Sequence, residues 1–162
     1  VMMTRYFNQD FVVISHGKNV SVLGGEFPDT TKTVAKSLLP FASFAFDSDV
    51  QWLQVSASGR FVVAQNGAKY VGYDLERKVL SPTATLAGSS DPKKLRWLDN
   101  YYVWSDGSDT LTMREFDGAN EHEINAVAPG FDATLSSSGK YLYSIGKVGE
   151  SYQLQRVRMI LN

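Results

Sequence analysis

The stretch VSASGRFVV at residues 55–63 is written again, in nearly the same letters, as LSSSGKYLY at 135–143. Each copy sets small polar residues and a glycine, Gly59 or Gly139, before a basic residue, Arg60 or Lys140, and then an aromatic, Phe61 or Tyr141. Glycine behind serines suits a sharp chain reversal, because it takes a positive φ at little cost while the hydroxyls satisfy the turn's free backbone groups. The basic side chain keeps its charge in water as the aromatic enters a sheet. The phrase therefore reads as strand, turn, strand, and its glycine as conformational.

Outward from the first copy, QWLQV leads into the turn, RFVVAQ follows, Asn66-Gly67 marks a second reversal, KYVGYDL makes a third strand and VLSPTATL a fourth. Asn-Gly between alternating hydrophobic runs is the strongest short-range hairpin signal. The order recurs in KLRWL, YYVWS, TLTMREF and EHEINAV, broken at Asp99-Asn100, at 106–109 and at 117–120. FDATL, KYLYSI and SYQLQRVRMIL form a last unit that stops after its third strand. Upstream, DFVVISHGKNVSVL reads as a hairpin turning at His16-Gly17-Lys18. Within 26–46, KTVAKSLLPF has helical spacing at Val34, Leu38 and Phe41, but its threonines favour extension; an outer strand ended by Pro40 is expected.

Phe61, Tyr101 or Tyr102, and Tyr141 each open the second strand of a unit, a period of about forty residues. Such a period predicts an all-β chain: a β-propeller of four-stranded antiparallel blades, partial or small, with about four units at 1–46, 47–90, 91–129 and 130–162. A β-sandwich also has many short antiparallel strands but needs no such period. The closure of the last unit is left open by the sequence: residues 2–5 are one source for its missing outer strand, and two copies sharing open edges are another. The start VMMTRYFNQD suggests a piece of a longer protein.

The pattern Ser-x-x-Gly-Arg/Lys-aromatic-hydrophobic at 56–62 and 136–142 resembles the blade motif of TolB-like and WD40-like β-propellers. REFDGANEHEI at 114–124 is similar to the turn and strand that close TolB-type blades. The chain departs from true WD40 repeats: no unit has the Trp-Asp ending or the Gly-His opening, and Asp99-Asn100 stands where the Ser-Gly phrase would. The resemblance implies a rigid, noncatalytic scaffold binding a protein or a glycan, and it brings no catalytic residue with it.

Composition narrows the function from the other side. The 16 Lys and Arg against 17 Asp and Glu lack the basic excess of a nucleic-acid binder. No cysteine is present, so disulfides and thiolate chemistry are excluded. No run reaches the ~18 apolar residues of a membrane-spanning helix. His16 and His122 have no partners at zinc-motif spacing, and no Gly-x-Ser-x-Gly elbow, Walker loop or dinucleotide fingerprint occurs. Neither a metal nor a cofactor is expected. Asp47-Ser48-Asp49 and 106–109 have the acids of a calcium loop without its ordered ligand series or distal Glu.

The alternative function is a propeller hydrolase of glycans using rim carboxylates from Asp47, Asp106, Asp109 and Asp117. Tyr6, Phe7, Trp52, Trp97, Tyr101, Tyr102 and Trp104 are candidates either for the wedges between blades or for exposed anchors. Trp104, with Asp106 and Asp109 in the turn behind it, is the expected binding group. Asn19-Val20-Ser21 fits the N-glycosylation pattern and favours an extracellular or envelope location.

Overall fold

The computed structural model describes residues 1–27, 31, 37–86, 92–107 and 109–159. Its strands form four antiparallel sheets in chain order, not closed into a barrel but laid side by side as propeller-like blades. Blade 1 is β1 (Met2–Tyr6), β2 (Gln9–His16), β3 (Asn19–Gly25) and β4 (Leu38–Ala45). Blade 2 is β5 (Trp52–Val55), β6 (Phe61–Asn66), β7 (Lys69–Asp74), β8 (Val79–Leu80) and β9 (Ala84–Thr85). Blade 3 is β10 (Arg96–Trp97), β11 (Tyr102–Ser105), β12 (Thr110–Glu115) and β13 (His122–Ala126). Blade 4 has three strands, β14 (Thr134–Leu135), β15 (Tyr141–Val148) and β16 (Ser151–Arg158). Among the described residues, no helix is long and apolar enough to cross a membrane.

The repeated phrase folds as the same hydrogen-bond circuit twice. The Ser56 and Ser136 amides donate to the carbonyls of Phe61 and Tyr141, and the Gly59 and Gly139 amides close back onto Ser56 and Ser136. The Phe61 and Tyr141 amides donate to the hydroxyls of Ser56 and Ser136 at 3.1 and 3.0 Å. Blade 3 reaches the same end in one residue fewer. There the Asp99 carboxylate accepts the amides of Tyr101 and Tyr102 at 2.6 and 2.7 Å, while Leu98 donates to the Tyr102 carbonyl. A carboxylate one atom longer than a hydroxyl substitutes for the serine.

Several sequence expectations need correction. Residues 2–5 do not complete the last unit: β1 pairs with β2 through Met2↔Val13 to Tyr6↔Gln9, as the first strand of blade 1. Pro40 does not end its strand. It lies within β4 opposite Leu23, beside a register slip between Val22 and Leu23, and an edge strand tolerates a residue that cannot donate to a ladder. Val34, on which the helical spacing leaned, lies outside the described residues. The Asn66-Gly67 reversal is shifted by one residue, since Asn66 pairs with Lys69 across Gly67-Ala68. VLSPTATL is two short strands on one edge of β7, with β8 opposite Tyr73 and Asp74 and β9 opposite Lys69 and Tyr70. Between them the Ser81 amide donates to the Gly72 carbonyl and the Gly72 amide donates to the Ser81 hydroxyl, both at 2.8 Å, before Pro82 interrupts the ladder.

The core sits in three wedges between successive blades. Phe11, Val13, Val20 and Val22 of blade 1 pack on Val62, Ala64, Val71 and Tyr73 of blade 2. The opposite face of blade 2 gives Val63 and Tyr70 to a cluster with Leu95 and Val103 of blade 3. Trp104 and Leu111 then meet Ala133 and Leu142 of blade 4. Period-two alternation of the strands explains why neighbours such as Val62 and Val63 serve different wedges. Glycine is required within β7: a Cβ on Gly72 would stand 2.6 Å from the Phe116 ring, which stacks on Phe61 at a centroid distance of 4.1 Å.

Candidate binding site

The sequence-expected site on β11 and its following turn is structural where it is buried. Trp104 is 2 % exposed, under the Arg96 guanidinium at 4.7 Å from its ring centroid, so its ring is part of the wedge. Asp106 is buried as well, accepting the Ala133 amide on Oδ2 at 2.6 Å with Lys93 Nζ 3.9 Å away. Lys93 also meets Asp132 at 2.5 Å, and that ammonium holds the Asp132 carboxyl below its usual range. Asp106 thus ties blade 3 to blade 4. Asp106→Ala removes the acceptor from a buried amide and is expected to cost about 1–3 kcal/mol in urea unfolding. Asp109 is exposed, and its backbone carbonyl accepts the Val127 amide.

Two other rim acids have partners of their own. Asp47 lies 3.6 Å from Lys69, and Asp117 accepts the Ala119 amide at 3.0 Å. Among the described residues no three His, Cys, Asp or Glu side chains are grouped to hold a metal ion.

A different place gathers exposed aromatic surface. A groove of about 360 Å³ runs between blades 1 and 2, lined by Tyr6, Phe7, Phe11, Phe41 and Leu75 with Gln9, Glu76 and Lys78 at its polar margin. Its position follows from the blade geometry, because the β1–β2 turn and the β7–β8 turn meet at one face. Phe7 and Asn8 form the first turn with φ values of 48° and 58°. Phe7 is 83 % exposed, its ring edge-on to Tyr6 at 5.1 Å. Lys78, also left-handed at φ 56°, places Nζ 4.6 Å over the Phe41 ring. The groove therefore offers aromatic faces with one cation and one carboxylate beside them.

An ion-pair network fixes its floor. Arg60 donates through Nε to Asp74 Oδ1 at 3.0 Å and through Nη2 to Oδ2 at 2.6 Å. Asp74 Oδ1 also accepts the Glu76 and Arg77 amides, which shapes the β7–β8 turn. Burial pushes the Asp74 carboxyl up, but Arg60 and the two amides pull harder, and it ends below its usual value. Arg60 reaches Glu76 through Nη1 at 2.5 Å, and Glu76 accepts the Tyr6 hydroxyl at 2.9 Å. Partial burial and that hydrogen bond raise the Tyr6 hydroxyl above its ordinary range. Blade 2 thereby holds the end of β1, and Phe7 with it.

Phe7 was within reach of the sequence as one of several aromatics, but Phe7-Asn8 contains no glycine to announce a left-handed turn. A second groove of about 230 Å³ occupies the next junction, among Val79, Leu80, Pro82 and Phe116. It lacks an aromatic exposed like Phe7.

No family model and no curated protein matches the chain. Solved structures do. A chain of a mitotic checkpoint complex superposes at a TM-score of 0.53 with 18 % identity, over 95 % of this chain and 46 % of that one. The C-terminal WD40 domain of Sif2 matches at 0.53 with 8 % identity, over 93 % and 44 %. Dihydro-heme d1 dehydrogenase NirN matches at 0.51 with 13 % identity, over 93 % and 35 %. The chain thus spans less than half the length of each of these structures. At such identities the likeness is one of fold, and the fold is a row of blades distantly similar to WD-repeat and other propeller-like proteins.

Proposed function

We propose that the chain is a noncatalytic protein-binding module whose groove between blades 1 and 2 grips an aromatic or aliphatic anchor from an extended peptide. The observation that carries this reading is Phe7, a large ring 83 % exposed on a left-handed backbone. A bulky residue costs about 1–2 kcal/mol in that conformation, and strain of this kind collects where the side chain is used. Two further features agree. Asp74 is held below its usual carboxylate range, the opposite of what a proton donor to a glycosidic oxygen needs, and Asp106 gives its Oδ2 to a backbone amide. Lys78 and Glu76 at the margin would orient the peptide and select its charges.

Phe7→Gly separates use from stability. The substitution is expected to raise stability by about 0.5–1 kcal/mol, as turn strain falls by more than unfolded-chain entropy grows. It should also weaken binding about tenfold or more for peptides selected from a displayed library on the immobilised chain. Titration of those peptides against both proteins decides the matter. Equal affinity, or a library from which nothing is enriched, refutes the groove.

A further inference from the structure

The two charged side chains at the margin of the groove between blades 1 and 2 are not equivalent. Glu76 Oε2 accepts the Tyr6 hydroxyl at 2.9 Å and meets Arg60 Nη1 at 2.5 Å, so the chain itself neutralises this carboxylate. Lys78 is exposed, and its ammonium stands 4.6 Å from the Phe41 ring centroid without an ion pair to another described residue. The ring takes one side of an ammonium that has three donors to give. Neighbouring cations are directed elsewhere. Arg5 faces Asp10 at 3.8 Å, and Arg77, on the same turn as Lys78, lies 4.0 Å from Asp74 and lines the next groove. The groove therefore presents one uncompensated charge, and it is positive.

We infer, resting on the reading of this groove as a peptide site, that its ligand is an acidic peptide, with an aromatic or aliphatic anchor against Phe7 and an Asp or Glu side chain on Lys78. The rest of the turn narrows the kind of anion. Phosphate is met by guanidinium forks or by concave runs of free backbone amides, and a terminal carboxylate by such amides. Here Arg60 commits Nε and Nη2 to Asp74 and Nη1 to Glu76. The amides of Glu76 and Arg77 donate to Asp74 Oδ1, and that of Lys78 to the Asp74 carbonyl. What remains is a single ammonium on a flexible stem, which suits the carboxylate of a side chain. Phe7 and Lys78 line one space of about 360 Å³, and side chains on one face of an extended peptide recur every second residue. The acid therefore stands two positions from the anchor.

A displayed peptide library on the immobilised chain is expected to enrich an aromatic or aliphatic residue two positions from an Asp or Glu. For an enriched peptide, replacing the acid by its amide should weaken binding about three- to fivefold at low salt, and Lys78→Gln should do the same. The two changes together should cost no more than either alone, and the loss should fade at about 0.5 M salt. Lys78→Arg should keep the preference for the acid. Anchors enriched without an acid overturn the inference, as does an acid worth as much to Lys78→Gln as to the native chain. Tighter binding of a phosphopeptide, or of a peptide ending at the anchor, overturns it too. In each of these cases Phe7→Gly still weakens binding and the groove stands. Binding that Phe7→Gly leaves unchanged, or a library from which nothing is enriched, overturns the groove and the acidic ligand together.

Discussion

Replacing Asp74 with alanine is expected to cost about 3–5 kcal/mol at neutral pH, because it leaves the Arg60 guanidinium without its bidentate partner in a largely enclosed place. The Asp74 side chain is 7 % exposed and that of Arg60 17 %, so water replaces little of what is lost. Two backbone donors, the amides of Glu76 and Arg77, lose their acceptor in the same step. The effect has a pH signature. Asp74 is depressed in the folded protein, so the unfolded chain binds its proton first as the solution is acidified. Its contribution is complete above the unfolded value near 3.8 and is lost as pH falls through the lower folded value. Urea unfolding of the native chain and of Asp74→Ala should differ by a constant amount above about pH 5 and converge in stronger acid. A difference that stays constant down to the folded value would remove the ion pair from the account and leave only turn geometry.

The legible part of this chain was whatever repeats as backbone chemistry. Ser56 and Ser136 close identical circuits, and a reader of the letters alone finds the blade period in them. Asp99 closes the equivalent turn by another atom, which is why the middle unit looked like an exception. Signals failed where tertiary position overrules local preference. Pro40 reads as a terminator until the strand holding it is known to be an edge, and VLSPTATL reads as one strand until β7 is seen to accept two. The candidate site was the least legible. Trp104 and Phe7 are both aromatics beside turns, and the letters do not say which one a neighbouring blade will cover. That depends on the face of the strand, hence on register with a sheet about forty residues away. Burial assigned Trp104 to the wedge, and backbone strain singled out Phe7.

The repeated phrase also supplies a controlled comparison, because its two glycines have the same backbone and different surroundings. Gly59 has φ 80° and Gly139 φ 69°, so alanine at either position pays the left-handed penalty of about 1–2 kcal/mol. Around Gly139 a Cβ meets nothing within 4 Å. Around Gly59 it would collide with the Arg5 carbonyl oxygen and with Thr4 Oγ1, both on β1 of the preceding blade. A backbone oxygen cannot rotate away, so β1 must move and the wedge of Phe11, Val13, Val62 and Val71 must open with it. Overpacking of this kind adds about 1–3 kcal/mol. Gly59→Ala is therefore expected to cost about 2–5 kcal/mol against about 1–2 for Gly139→Ala, a large share of the 5–15 kcal/mol that holds a domain folded. Thr4→Ala in the Gly59→Ala background should recover only part of the loss, since the Arg5 carbonyl remains. Equal costs at the two glycines, measured by urea unfolding, would mean that β1 does not press on the turn, and that blade 1 is held to blade 2 by contacts such as its apolar wedge, the Tyr6–Glu76 hydrogen bond and Lys78 over Phe41.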